Sequence, residues 1–115
     1  MPIYIVDDNR DLGEFLTCLL QDRGYTVHSF THPAEALAHM KEQPVHPSVL
    51  ITDYNLPAMN GYKLHQQMML LEPTVKTVVI SGRNISDEIG DLHFLLKPFA
   101  PDEIVELVES IRTQD

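Results

Sequence analysis

Basic side chains are scarce in this chain. Lys and Arg number 8 against 17 Asp and Glu, for a formal net charge of −9. That balance disfavours binding of a phosphate backbone by the domain itself. Cysteine is nearly absent, and Cys18 alone cannot form an internal disulfide. It lies off the stripe formed by Leu12, Phe15, Leu16 and Leu19, and is expected to be a packing residue at a helix flank with no redox role. No uninterrupted apolar run approaches the ~20 residues needed to span a bilayer. A signal-peptide pattern is lacking as well, so a cytoplasmic location and no membrane contact are expected. Internal repeats and low-complexity segments are missing. With 115 residues, 43% of them apolar, the chain suits one compact domain over residues 1–115, with a real core and no room for a second.

What is present is an alternation of strand and helix signals. Ile3 to Val6 reads as a first strand. Arg10 to Arg23 places Leu12, Phe15, Leu16, Leu19 and Leu20 at helical spacing, with Asn9 positioned to cap the helix and Gly24 to end it. Tyr25 to Phe30 alternates like an outer strand. Pro33 to about Gln43 predicts a second helix, with Pro33 in its first turn and Ala36, Leu37 and Met40 inward. Val49 to Thr52, Thr77 to Ile80 and Leu92 to Leu96 predict three further strands. Gly61 to Glu72 predicts a helix with Leu64, Met68 and Leu71 inward, and Pro101 opens a last helix with Ile104, Leu107, Val108 and Ile111 in one stripe.

Elements alternating in this way imply an α/β fold, a doubly wound parallel sheet with right-handed crossovers. Five strands point to the flavodoxin-like order 2-1-3-4-5. Between the fourth and fifth strands, Ile85 and Ile89 stand at helical spacing, but Gly82, Asn84 and Gly90 weaken any helix there. A shortened or irregular fourth helix is expected.

In such sheets ligands bind outside the carboxyl ends of the strands. Asp7 and Asp8 close the first strand, Asp53 closes the third, and Lys97 follows the fifth. Each has an ordinary reading: Asp53 as a loop cap, Asp7 and Asp8 as acids near a helix N-terminus, Lys97 as a surface cation. Together they form a site. Clustered carboxylates need a cation and a lysine beside them can meet an anion, demands that a divalent metal and a phosphoryl group satisfy. The histidines His28, His32, His39, His46, His65 and His93 show no metal-ligand spacing and are expected to be surface or half-buried.

These residues, with Ser81 after the fourth strand, Lys97-Pro98-Phe99 after the fifth, and Pro57 and Gly61 in the loop after Asp53, resemble the receiver domains of two-component response regulators over essentially the whole chain. The resemblance implies Mg2+-dependent transfer of a phosphoryl group from a phosphohistidine donor to Asp53, with Mn2+ an alternative ion. By the same resemblance, Asp8 binds the metal directly, Asp7 through water, and Asp53 and the main-chain carbonyl of Asn55 supply further oxygens. Lys97 pairs with the phosphoryl oxygens across a Lys-Pro bond that receivers hold cis, and the Ser81 hydroxyl and the aromatic Phe94 act as the switch. The implied partners are a sensor histidine kinase or histidine phosphotransfer protein, and downstream a protein or attached effector domain. The protein would not be an enzyme in the ordinary sense, but would catalyse its own phosphorylation and dephosphorylation. The altered fourth helix implies that the family's common dimer surface is changed.

Two other readings compete. A receiver-like interaction module without phosphorylation fits the short fourth helix. A Mg-dependent aspartyl-phosphate phosphohydrolase would share the Asp, Lys and metal, but it needs a general acid near the nucleophile, and Asn55 stands two residues after Asp53.

Overall fold

The apolar runs form one parallel sheet in the computed structural model, which describes residues 2–112. Met1 and residues 113–115, and with them both ends of the expected 1–115 domain, lie outside the described residues. The strands are β1 (Ile3–Val6), β2 (Val27–Phe30), β3 (Val49–Asp53), β4 (Lys76–Ser81) and β5 (His93–Leu96). They lie in the order β2-β1-β3-β4-β5, as expected. The helices are α1 (Arg10–Gln21), α2 (Pro33–Glu42), α3 (Gly61–Leu71) and α4 (Pro101–Arg112). The central strands are buried on both faces, which is why they read as continuous apolar runs instead of alternating.

One face packs Ile3, Ile5, Ile51, Val78 and Ile80 against Leu16 and Leu20 of α1 and Ile104, Val108 and Ile111 of α4. The other packs Tyr4, Val6 and Leu50 against Ala36 and Met40 of α2 and Leu64 and Met68 of α3. The register matters for function. Val6 pairs with Thr52, so the residues after each, Asp7 and Asp53, emerge side by side. Ser81 pairs with Leu96, which sets Lys97 next to them.

Local signals set the helix ends. Asn9 caps α1 by accepting from the Leu12 amide at 3.2 Å, and Asn60 caps α3 by accepting from the Lys63 amide at 2.8 Å. Pro33 stands in the first turn of α2, as expected.

Several expectations need correction. Cys18 is exposed, and Phe15, expected inward, is 48% exposed. The buried seam of α1 runs through Gly13, Leu16 and Leu20. At about 100° per residue, Phe15 is one step off Leu16 and Cys18 nearly opposite it. β2 begins at Val27, not Tyr25, because the Tyr25 amide closes α1 on the Leu20 carbonyl at 3.2 Å. His65 is buried instead of surface or half-buried, and shares a 2.7 Å hydrogen bond with the Thr77 hydroxyl that makes burial affordable.

Between β4 and β5 there is only a 3-10 turn, Ser86–Glu88. It does not leave the sheet bare. Ile85 and Ile89 are each 1% exposed and pack on Val79, with Tyr54, Tyr62, Leu92 and Phe94 around them. They act as a plug under a non-helical crossover. Ile89→Ala should therefore cost about 2–5 kcal/mol, the range for deleting a buried aliphatic side chain. Urea unfolding measures this, and a loss under about 1 kcal/mol would mean the plug contributes little packing.

Candidate functional site

Asp7 is fixed from both sides. Its amide donates to the Phe30 carbonyl at 3.0 Å, extending the sheet, and its Oδ1 accepts from the Asn9 amide at 2.8 Å. Its residue is 2% exposed, and Oδ2 has no hydrogen-bond partner among the described residues. Asp8, next to it, is exposed. Asp53 is buried at the end of β3, and the Tyr54 amide just beyond it still bonds to the Ile80 carbonyl at 2.8 Å.

After Tyr54 the chain turns back on itself. Asn55 and Asn60 form an antiparallel bridge, Ala58 adopts a left-handed φ of 70°, and the Gly61 amide donates to the Tyr54 carbonyl at 2.8 Å. A Cβ at Gly61 would lie 2.5 Å from the Asp53 carbonyl oxygen. The start of α3 thus presses directly on the backbone of Asp53, and only glycine permits the approach.

Lys97 reaches the site from β5. Its amide donates to the Ser81 carbonyl at 2.8 Å, and the Lys97-Pro98 bond is cis, as the resemblance implied. Its Nζ lies 3.6 Å from Asp53 Oδ2 and 3.7 Å from Asp7 Oδ2. Those are ion-pair distances, too long for hydrogen bonds. Ser81 is 1% exposed, and its Oγ accepts from the Arg83 amide at 3.2 Å.

The structure thus brings Asp7, Asp8, Asp53, Lys97 and Ser81 to one sheet edge. Asn55 is exposed in the adjoining loop, while Phe94 is half-buried, three residues back along β5, in the cluster around Val79. Sequence reading passed over two neighbours. Arg83 lies 5.7 Å above the Tyr54 ring and pairs with Glu88 at 3.3 Å. Their positions next to Asp53 and just after Ser81 were the available signal.

Burial pushes both Asp7 and Asp53 above the usual carboxylate range. For Asp7 the Asn9 amide pulls back, Asp53 adds to the rise, and Lys97 opposes it; for Asp53 the Lys97 ammonium is the main counterweight and Asp8 adds to the rise. One oxygen from each of Asp7, Asp8 and Asp53 lies within 4.8 Å of the others. An all-oxygen donor set with a buried carboxylate oxygen that makes no hydrogen bond among the described residues fits a hard divalent cation such as Mg2+.

Comparison with known proteins agrees with this fold. The family model described as "Response regulator receiver domain" matches residues 3–109. The chain is 31% identical over 115 residues to the transcriptional regulatory protein CssR of Bacillus subtilis (strain 168), covering 95% of this chain and 50% of CssR. It is 30% identical over 115 residues to the response regulator receiver protein CpdR of Brucella abortus (strain 2308), covering 95% of this chain and 94% of CpdR. Several relatives are much longer, and the chain spans about a quarter to a half of their length. Among solved structures, the receiver domain from hybrid histidine kinase CckA superposes with a TM-score of 0.83 at 28% identity, covering 96% of this chain and 98% of that one.

The raised values fix the sign of a pH effect. An acid whose pKa is raised by folding favours the fold while protonated, so its contribution is full below the unfolded value near 3.8 and is lost as pH rises through the folded value. At neutral pH, with EDTA present, Asp7→Asn should thus raise stability by about 1 kcal/mol, roughly 4 °C in thermal midpoint for a domain of this size. It should also flatten the decline in midpoint as pH rises above the unfolded value near 3.8. A variant that melts below the parent at pH 7 would contradict this.

Proposed function

The chain belongs to the response regulator receiver domain family, and from that premise we propose that Asp53 is its phosphoacceptor, charged from a phosphohistidine and discharged by water. As a receiver domain of two-component signalling it is a phosphoacceptor and not a conventional enzyme. The observation that carries the assignment to Asp53 is the ammonium of Lys97, 3.6 Å from Asp53 Oδ2 and 3.7 Å from Asp7 Oδ2, at the carboxyl edge of the sheet.

In the forward step an Asp53 carboxylate oxygen attacks phosphorus. A P–O bond forms, the P–N bond of the phosphohistidine breaks, and its electron pair returns to the donor imidazole. The transition state is loose, so alignment and charge neutralisation matter more than nucleophile strength. Lys97 turns from the carboxylates to the incoming phosphoryl oxygens, and the Ser81 hydroxyl donates to another once it leaves the Arg83 amide. Asp8, Asp53, the Asn55 main-chain carbonyl and, through water, Asp7 would hold Mg2+, or Mn2+ in its place, which would supply positive charge to offset that of the transferred group. In the reverse branch water attacks phosphorus, the bond to Asp53 breaks, and inorganic phosphate leaves with the carboxylate restored. Phe94 follows Ser81 as the second part of the switch, since it packs in the cluster with Ile85 and Ile89 that follows Ser81 in the chain.

The donor is a sensor histidine kinase or a histidine phosphotransfer protein. Beside Lys97 lies an apolar cleft of about 450 Å³ lined by Leu12, Phe15, Lys97, Pro98 and Phe99. The exposure of Phe15 supports this cleft as the place where the donor docks. Residues 1–115 are taken as one receiver unit acting in the cytoplasm, with the output passed to a downstream protein or an attached effector domain. No helix among the described residues is long and apolar enough to cross a membrane.

Two measurements test the proposal. Asp53→Asn, which keeps size and shape, should abolish phosphate incorporation from a small acyl-phosphate donor with Mg2+ while leaving the circular-dichroism spectrum unchanged. Incorporation at the parental rate would end the assignment. Phe15→Ala should slow transfer from a phosphohistidine protein by roughly tenfold, the effect of one interface anchor, yet leave the rate with the small donor intact. Equal slowing with both donors would place Phe15 outside the docking face.

A further inference from the structure

A second polar cluster lies at the opposite edge of the sheet. Tyr4 and His28 are register partners on β1 and β2, and their side chains share the face covered by α2. From α2, His39 lies over them. The His28 and His39 ring centroids are 4.9 Å apart, and the Tyr4 ring is 5.8 Å from His28 and 5.7 Å from His39. Phe30 closes one side, 5.4 Å from His39. The Tyr4, His28 and His39 rings border a cavity of about 330 Å³ that Thr26 and Gln43 also line. Thr26 immediately precedes β2, so the cavity opens at the amino-terminal edge, away from Asp53.

Two features set this cluster apart from ordinary aromatic packing. The Tyr4 hydroxyl is buried and has no hydrogen-bond partner among the described residues, although Tyr4 lines the cavity. A buried hydroxyl without a partner is costly and rare. The cavity also presents two imidazoles and, among the described residues, no Lys, Arg, Asp or Glu in its lining.

We propose that His28 and His39 form a binding site for an imidazole-preferring transition-metal ion of the Zn2+, Ni2+ or Cu2+ class, with the Tyr4 hydroxyl hydrogen-bonded to a water on the ion. Two neutral nitrogen ligands suit these ions and not Mg2+, which takes oxygen. Burial, and then the neighbouring His39, hold His28 below its ordinary pKa, so its lone pair is available at neutral pH. Burial also keeps the Tyr4 phenol protonated, so it donates to bound water and does not itself ligate. Water reaches the remaining coordination positions from the open side, where Gln43 is exposed. The chain's net charge of −9 favours the approach of any cation. Coordination would tie α2 to the edge strand β2.

The test is titration of the full chain with Zn2+ and Ni2+ in excess Mg2+, by calorimetry and by thermal midpoint. One ion should bind per chain, raising the midpoint. His39→Gln and His28→Asn should each weaken binding by at least about tenfold, Tyr4→Phe by roughly tenfold as an outer-shell loss, and Asp8→Asn should leave it unchanged. Cu2+ or Ni2+ should broaden the His28 and His39 ring signals in the parent protein, which keeps the test decisive if a variant fails to fold. Absence of binding, broadening confined to residues around Asp53, or binding that survives His39→Gln but not Asp8→Asn would each overturn the proposal and leave the rings as packing alone.

Discussion

Two carboxylates held out of water within reach of a single ammonium set the terms for the rest of this molecule. Asp7 and Asp53 are buried, the Lys97 nitrogen stands at ion-pair distance from both, and one Asp7 oxygen has no hydrogen-bond partner among the described residues. Such an arrangement opposes folding, since burial penalises each charge and the like charges repel. The fold must provide the difference elsewhere. It does so with strands buried on both faces and two separate apolar layers. Surplus stability from the core is held at the site as unrelieved charge, available to a cation or an anion that arrives.

Much of this was legible in the chain. The five apolar runs, the cap at Asn9, the first-turn Pro33 and the carboxylates at strand ends gave the sheet order and the site, because each is a local signal that agrees with the global fold. The shortness of the helix after Ser81 was legible too, since too few residues remain there for a full one and Gly82, Asn84 and Gly90 weaken it. What sequence could not supply was orientation on a helix face at its margins. Phe15 and Cys18 differ from Leu16 by small steps along the chain but by large angles around the axis.

Partners distant in sequence were equally hidden. Ile85 and Ile89 looked like the inner face of a helix, and are indeed buried, but on a crossover that is scarcely helical. His65, expected to be surface or half-buried, is buried against Thr77, a hydrogen-bond partner on another element. His28 and His39 show no ligand spacing along the chain, and only the packing of α2 on β2 brings their rings together. Gly61 could be seen as part of a loop pattern, but its reason, the nearness of the Asp53 carbonyl, belongs to three dimensions.

The 2.8 Å bond from the Lys97 amide to the Ser81 carbonyl joins the two strands at the last rung before the site. The hydroxyl and the ammonium are therefore mounted on a common crossbar. Neither backbone can travel along the strand axis without dragging the other, so their side chains adjust by rotation while the spacing of their anchors stays constant. The site resembles a jaw with fixed hinge pins: its grip changes by the swing of its arms, and its gauge is set when the sheet forms.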